Sequence, residues 1–211
     1  MGKIFLMVNL GEIFYTVLQV MTKDVLTNKG VPAFEFSFLR SMFNLLSSMM
    51  LVKSCNQTYF SSIPKSLYTT LTMRCLIGTV GFASFAIAMK FIPLSVFFII
   101  FNSNPFTTAI LGYFWIREKI SPFEIGAMIC AFMGIMMMSL AADKKEDEKS
   151  FDHTYQIGIV IAFIACLGQS FICVASRRLW TIHFSVIQFN YALTSTLVMG
   201  LMVYITPTTP G

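Results

Sequence analysis

Seven predominantly apolar stretches, each near the roughly 20 residues that a helix needs to cross a bilayer, leave room between them only for short connections. They run from Ile4 to Met21, Phe34 to Val52, Leu71 to Ile92, Leu94 to Ile116, Phe123 to Ala142, Ile157 to Val174 and Phe184 to Ile205. Charge, Pro or Gly marks their ends: Lys23-Asp24, Gly30-Val31-Pro32, Lys53, Pro93, Arg117-Glu118-Lys119 and Arg177-Arg178. In lipid a single segment can satisfy its backbone polar groups only as a helix. The expected fold class is therefore an all-α polytopic membrane protein of about seven transmembrane helices.

Composition closes off the alternatives. Of 211 residues, 56% are hydrophobic and 12% charged, 22 are Phe, and the mean hydropathy is +0.73. A water-soluble fold could not cover its core with so few charges, and disordered or collagen-like chains are excluded equally. The net charge of +5 is spread over span ends rather than clustered with aromatics on one face, so nucleic acid is not an expected partner. The lipid bilayer is.

Lys and Arg mark the cytosolic side of membrane proteins. With the N-terminus cytosolic, the inner side holds Lys3, Lys53, Lys65, Arg74, Arg117, Lys119, Arg177 and Arg178, and the outer short loops hold Lys23, Lys29 and Lys90. The mixed loop Asp143 to Lys149 weakens the bias without reversing it. The sequon Asn56-Gln57-Thr58 would then face the cytosol unused. The apolar run after Lys3 has Glu12 at mid-run and no Ala-x-Ala-like cleavage site, so it reads as a retained span rather than a signal peptide. Cys55, Cys75, Cys130, Cys166 and Cys173 are odd in number, contain no CxxC and mostly lie in apolar runs; they read as small packing residues. No metal or cofactor is expected. Neither is an enzyme, for the chain has no GxSxG, HExxH or P-loop.

Polar groups inside spans are costly and therefore informative. Asn9, Glu12, Thr16 and Gln19 share one face of span one, where Glu12 either braces a helix contact or serves a substrate or proton. Ser37, Ser41, Asn44 and Ser48 form a stripe on span two, open to helix packing or to a cavity. Arg40 beside that stripe is too deep to stand unpaired, and Glu12 at similar depth is its expected partner. Span four contains Asn102-Ser103-Asn104-Pro105. Pro105 donates no backbone bond and clashes with the carbonyl of Phe101, so a break is expected there, either a packing kink or a hinge at a binding site. Gln188, Tyr191 and Ser195 share a face of span seven that could complete a cavity. The small residues Gly78, Gly81 and Ala88 of span three, and Gly126, Cys130 and Gly134 of span five, are expected helix contacts. His153 and His183 are expected in solvated loops. The candidate cavity residues are Glu12, Arg40, Asn44, Asn102, Asn104, Gln188 and Tyr191, with Pro105 as hinge.

From Arg74 to Leu140 these features follow a definite order. Arg74-x3-Gly78 opens a span and Ala88-x4-Pro93-Leu94 closes it; Asn104-Pro105-Phe106 lies mid-span; Arg117-Glu118-Lys119 follows, then Gly126 and Gly134. This order resembles the EamA-type repeat of the drug/metabolite transporter superfamily. Pro32-x2-Glu35-x4-Arg40 adds to the likeness, which is nearest to the eukaryotic branch of nucleotide-sugar and related solute carriers. The resemblance implies two five-helix repeats of inverted topology. Residues 1–142 would be the first, 143–156 a charged non-cytosolic loop, 157–205 the first two helices of the second, and 206–211 a tail; on that plan the last three helices would be lacking. It implies secondary transport or exchange of small polar metabolites by alternating access, without hydrolysis. The alternative is a truncated, non-transporting paralogue or a half-unit. A small-molecule solute is the expected ligand, and a second copy or complementary half an expected partner.

Overall fold

A computed structural model describes residues 2–27, 31–59, 63–117, 121–142 and 153–206. Eight α-helices account for most of them: α1 (Gly2–Thr27), α2 (Ala33–Ser54), α3 (Tyr68–Phe91), α4 (Leu94–Asn102), α5 (Asn104–Trp115), α6 (Pro122–Ala142), α7 (His153–Arg178) and α8 (Phe184–Ile205). Among the described residues, the segments Lys65–Phe91, Leu94–Trp115, Tyr155–Arg178 and Phe184–Ile205 are long and apolar enough to cross a membrane. The chain is an all-helical, polytopic membrane protein. Its surface fits lipid: Phe14, Phe43, Met50, Phe114, Phe123 and Leu197 are exposed apolar side chains, a cost in water that a bilayer removes.

The seven sequence runs map onto these helices, with α1 running on through Lys23 and Asp24 to Thr27 and with further shifts at α3, span four and α7. α3 starts at Tyr68, three residues before its apolar run, and a 3-10 turn at Lys65–Leu67 leads into it. Arg74 is therefore carried inside the span, about 9 Å along the axis from Tyr68, instead of marking its edge. Span four is two helices, α4 and α5, joined at Ser103. α7 begins at His153, four residues before its run, so His153 lies within a helix and not in the loop expected for it.

Helix ends follow local chemistry. α2 closes in a left-handed cap at Asn56 (φ 51°). There the Gln57 amide bonds to the Val52 carbonyl and the Asn56 amide to that of Lys53, the paired pattern that satisfies terminal carbonyls. His183 caps α8, its Nδ1 accepting from the Ser185 amide at 3.3 Å. Lys23 Nζ donates to the Ile92 carbonyl at 2.9 Å and ties the end of α1 to the α3–α4 turn.

α3 is the central element. Half of its apolar window is buried in protein (50%), against 11% for α4–α5. It packs antiparallel to α7, and the reason is glycine. A Cβ on Gly168 would stand 2.9 Å from the Gly81 Cα, and one on Gly81 3.3 Å from the Gly168 Cα. Bare backbones meet there, as close packing in lipid requires. One end of the pair is fixed by Gly158 against Phe91 and Ile92, the other by Gly78 against Ile172. α8 packs antiparallel to α2, with Gly200 against the Phe38 ring at one end and Gln188 bonded to Asn44 at the other. The serine stripe of α2 is packing: Ser37, Ser41 and Ser48 are buried, and each hydroxyl bonds to a carbonyl of its own helix. Phe82, Phe85, Phe97 and Phe101 form an aromatic cluster joining α3 to α4.

The small row of α6 does not behave as expected. Nothing lies within 4 Å of a Cβ placed on Gly126 or Gly134, and Cys130 is exposed. Among the described residues this row seats no helix.

The glycine contact is directly testable. Gly168→Ala puts a methyl against backbone that no side-chain movement can clear, and should destabilise the protein by about 1–3 kcal/mol. Gly134→Ala, facing open space, should be neutral or mildly stabilising. Thermal unfolding of both variants in one detergent checks the contrast.

Candidate functional site

The packing of α3 against α7 leaves a space where α2, α4 and α8 approach. It is a cavity of about 230 Å³. Its apolar wall is Phe82, Phe85, Phe101, Ala165 and Ile172, with the bare backbone of Gly78 and Gly81. Its polar wall is Arg40, Arg74, Gln169, Gln188 and Tyr191.

The two arginines enter from opposite ends. Arg74 is about two and a half turns from the Lys65 end of its segment. Arg40 lies about 10 Å from the start of α2 at Ala33, which is the other membrane side. The Arg40 guanidinium sits 4.0 Å from the centroid of the Phe82 ring, a cation–π contact. It also borders a small crevice formed with Leu18, Gln19 and Thr22 of α1. Arg40, Phe82 and Phe85 thus separate the main cavity from that crevice. Arg74 is 7% exposed. Its Nε donates to Ser176 Oγ on α7 at 2.8 Å, while its buried Nη1 has no hydrogen-bond partner.

The expected site residues fall in different places. Arg40, Gln188 and Tyr191 line the cavity. Asn44 stands behind it, accepting the Gln188 Nε2 hydrogen bond at 3.0 Å and so orienting that amide. Asn104 and Pro105 act at the helix break. Pro105 occupies the first turn of α5, where a missing N–H costs nothing. Asn104 Oδ1 accepts from Ser170 at 2.6 Å and from Thr108 at 3.1 Å. Ser170 is fully buried on α7, and Thr107 also hydrogen-bonds to it. The Asn104 amide therefore serves the scaffold, latching the broken helix to α7. Asn102 is exposed, and its Nδ2 donates to the Phe98 carbonyl of its own helix at 2.8 Å; it lies away from the cavity. The side chain of Glu12, and with it the expected pairing to Arg40, lies outside the described residues.

Two contributors, Gln169 and Ser170, are not nominated by the sequence, and Arg74 is nominated only as a charge near a span end, because its apolar run begins at Leu71 whereas α3 begins at Tyr68. Gln169 and Ser170 form, with Gly168, a polar triplet in the middle of an apolar run. That triplet is a signal of the same kind as the one in span four.

A family model for EamA-like transporters matches residues 2–140. The chain belongs to the EamA-like transporter family. A search of curated proteins finds no match to it. Membership agrees with a multi-pass membrane protein of transporter type that handles small substrates. The match ends with α6, yet this EamA-like chain builds its cavity from both sides of that boundary. Gln169 and Ile172 come from α7, and Gln188 and Tyr191 from α8.

The latch makes a prediction. Asn104→Ala and Ser170→Ala should each destabilise the protein, with a coupling of about 0.5–3 kcal/mol in a double-mutant cycle because they share one network. Asn102→Ala should stay within about 0.5 kcal/mol.

Proposed function

We propose that the chain is a secondary transporter or exchanger of small polar metabolites, working by alternating access without hydrolysis. One observation carries this reading: a cavity with a polar wall lies inside the membrane-spanning bundle, next to a helix broken at mid-span. Polar groups within a span are tolerated chiefly where they line a pathway, and interrupted helices commonly border transport sites. The broken helix is held differently on its two halves. α4 rests on α3 through edge-to-face contacts of Phe97 and Phe101 with Phe85, whereas α5 is latched to α7 by hydrogen bonds, so Ser103 is the natural pivot. The contact of Arg40 with Phe82 is the thin layer that would open or close one end, and Glu12 on the neighbouring helix is its proposed partner.

α7 and α8 are read as the first two helices of a second, inverted repeat. In support, the second helices of the two halves, α2 and α8, run antiparallel against each other. The kinship proposed is with nucleotide-sugar and related solute carriers, on the strength of Pro32, Glu35 and Arg40. A second copy or a complementary half is a proposed partner. A cytosolic N-terminus is part of the proposal, supported by Lys53, Lys65, Arg117, Arg177 and Arg178 at helix ends on one side of the bundle.

The test is counter-exchange in vesicles reconstituted with the purified chain and loaded with a mixed metabolite extract. Solute-dependent exchange is expected. Ile172→Trp, which fills the cavity, should lower it at least about tenfold while folding persists. Exchange that is indifferent to this block would refute transport through the cavity.

A further inference from the structure

We propose that the cavity seats the anionic end of a small solute, a carboxylate or a phosphate, on Arg74. The inference relies on the transporter reading for the purpose of the cavity, and on separate geometry for what the cavity holds.

Arg74 is more than nine-tenths buried and lines the cavity. Its guanidinium is permanently charged and carries five donors in a planar fork. One of them, Nε, is committed to Ser176. Nη1 is withdrawn from solvent and has no acceptor. A buried donor on a charged group is costly to leave unmade, and folded proteins pair such charges or use them. The other polar members of the lining are Arg40, Gln169, Gln188 and Tyr191, and among the described residues no Asp or Glu lines the cavity. The Arg74 charge therefore disfavours cationic solutes there and favours anions. The planar fork suits the paired oxygens of a carboxylate or phosphate, and the neutral amides of Gln169 and Gln188 can serve hydroxyl or carbonyl groups further along the solute. The volume of about 230 Å³ falls below the ~300–1,000 Å³ of pockets for drug-sized ligands, so the fitting anion is a compact one.

A purely structural role for Arg74 would be to brace α3 against α7 through Ser176. Ser176→Ala removes that brace and leaves the charge, which separates the two roles.

The experiment uses the full chain in phosphatidylcholine nanodiscs at constant ionic strength. Malate, inorganic phosphate, glucose and choline are the probes, with thermal unfolding and titration calorimetry as readouts. At least one of the two anions should bind and raise the unfolding temperature, and which one does so distinguishes a carboxylate from a phosphate site. Arg74→Gln should weaken that binding about thirtyfold or more, the size expected on truncating one partner of a buried charge pair. Arg74→Lys, which keeps the charge without the fork, should fall between, and it carries the test if Arg74→Gln does not fold. Ser176→Ala should leave affinity within about threefold. Anion affinity unchanged in both Arg74 variants overturns the proposal, as does a response to glucose or choline alone or to no probe. Stabilisation by phosphatidylglycerol in the disc, with none by free anions, assigns the charge to a lipid headgroup and also overturns it. Anion binding at Arg74 without vesicle exchange sinks transport and leaves this inference standing; exchange of neutral or cationic solutes without anion binding does the reverse.

Discussion

The approach of the Gly81 and Gly168 backbones is the contact on which the bundle depends. Lipid is as apolar as a leucine side chain, so no hydrophobic force draws these helices together. What remains is van der Waals packing and hydrogen bonding, and both need proximity. Glycine at the α3–α7 crossing supplies it. Once the axes are this close, Arg74 reaches Ser176 on one side of the crossing, and Phe91 and Ile92 pack against Gly158 on the other. Ala165, Gln169 and Ile172, on the same side of α7, are brought to the cavity by the same geometry.

Polar side chains in this protein do two kinds of work, and burial alone does not tell them apart. Ser37, Ser41 and Ser48 of α2 and Ser170 of α7 are deeply buried, yet each is satisfied by a nearby carbonyl or amide. They let helices approach and hold them there. Arg74 is equally buried but incompletely satisfied. The difference lies in partners: a hydroxyl can be quieted by its own helix, whereas a guanidinium has more donors than one serine can accept.

Much of the architecture was legible because the bilayer dictates it. Apolar runs had to be helices, and Pro105 had to interrupt one. The family likeness, drawn from Arg74, Pro93, Pro105 and the later glycines, agrees with a match covering residues 2–140. Spacing was less informative about which faces meet. The glycines of α3 and those of α6 look alike in sequence, yet only the former meet another helix among the described residues. The partner of a small-residue row is a tertiary fact. Asn102 and Asn104 are two positions apart, so they point to different sides of a helix, and one periodic argument could not have served both. Arg74 lies deeper in its helix than the apolar run implies, because α3 already includes the polar residues Thr69 and Thr70, and a helix can satisfy such hydroxyls internally, as Thr72 does with the Tyr68 carbonyl.

The cavity has walls of two mechanical kinds. At Gly78 and Gly81 it is bounded by main chain, whose contour no rotamer change can alter. The lining also includes Arg40, Gln169 and Gln188, long side chains with several torsions each. One part of the lining is a rigid mould and another an adjustable jaw. A guest that is too broad is stopped by the mould, while guests that differ only in where their polar groups lie can be met by the jaw. Width would then be judged strictly and functional-group pattern leniently.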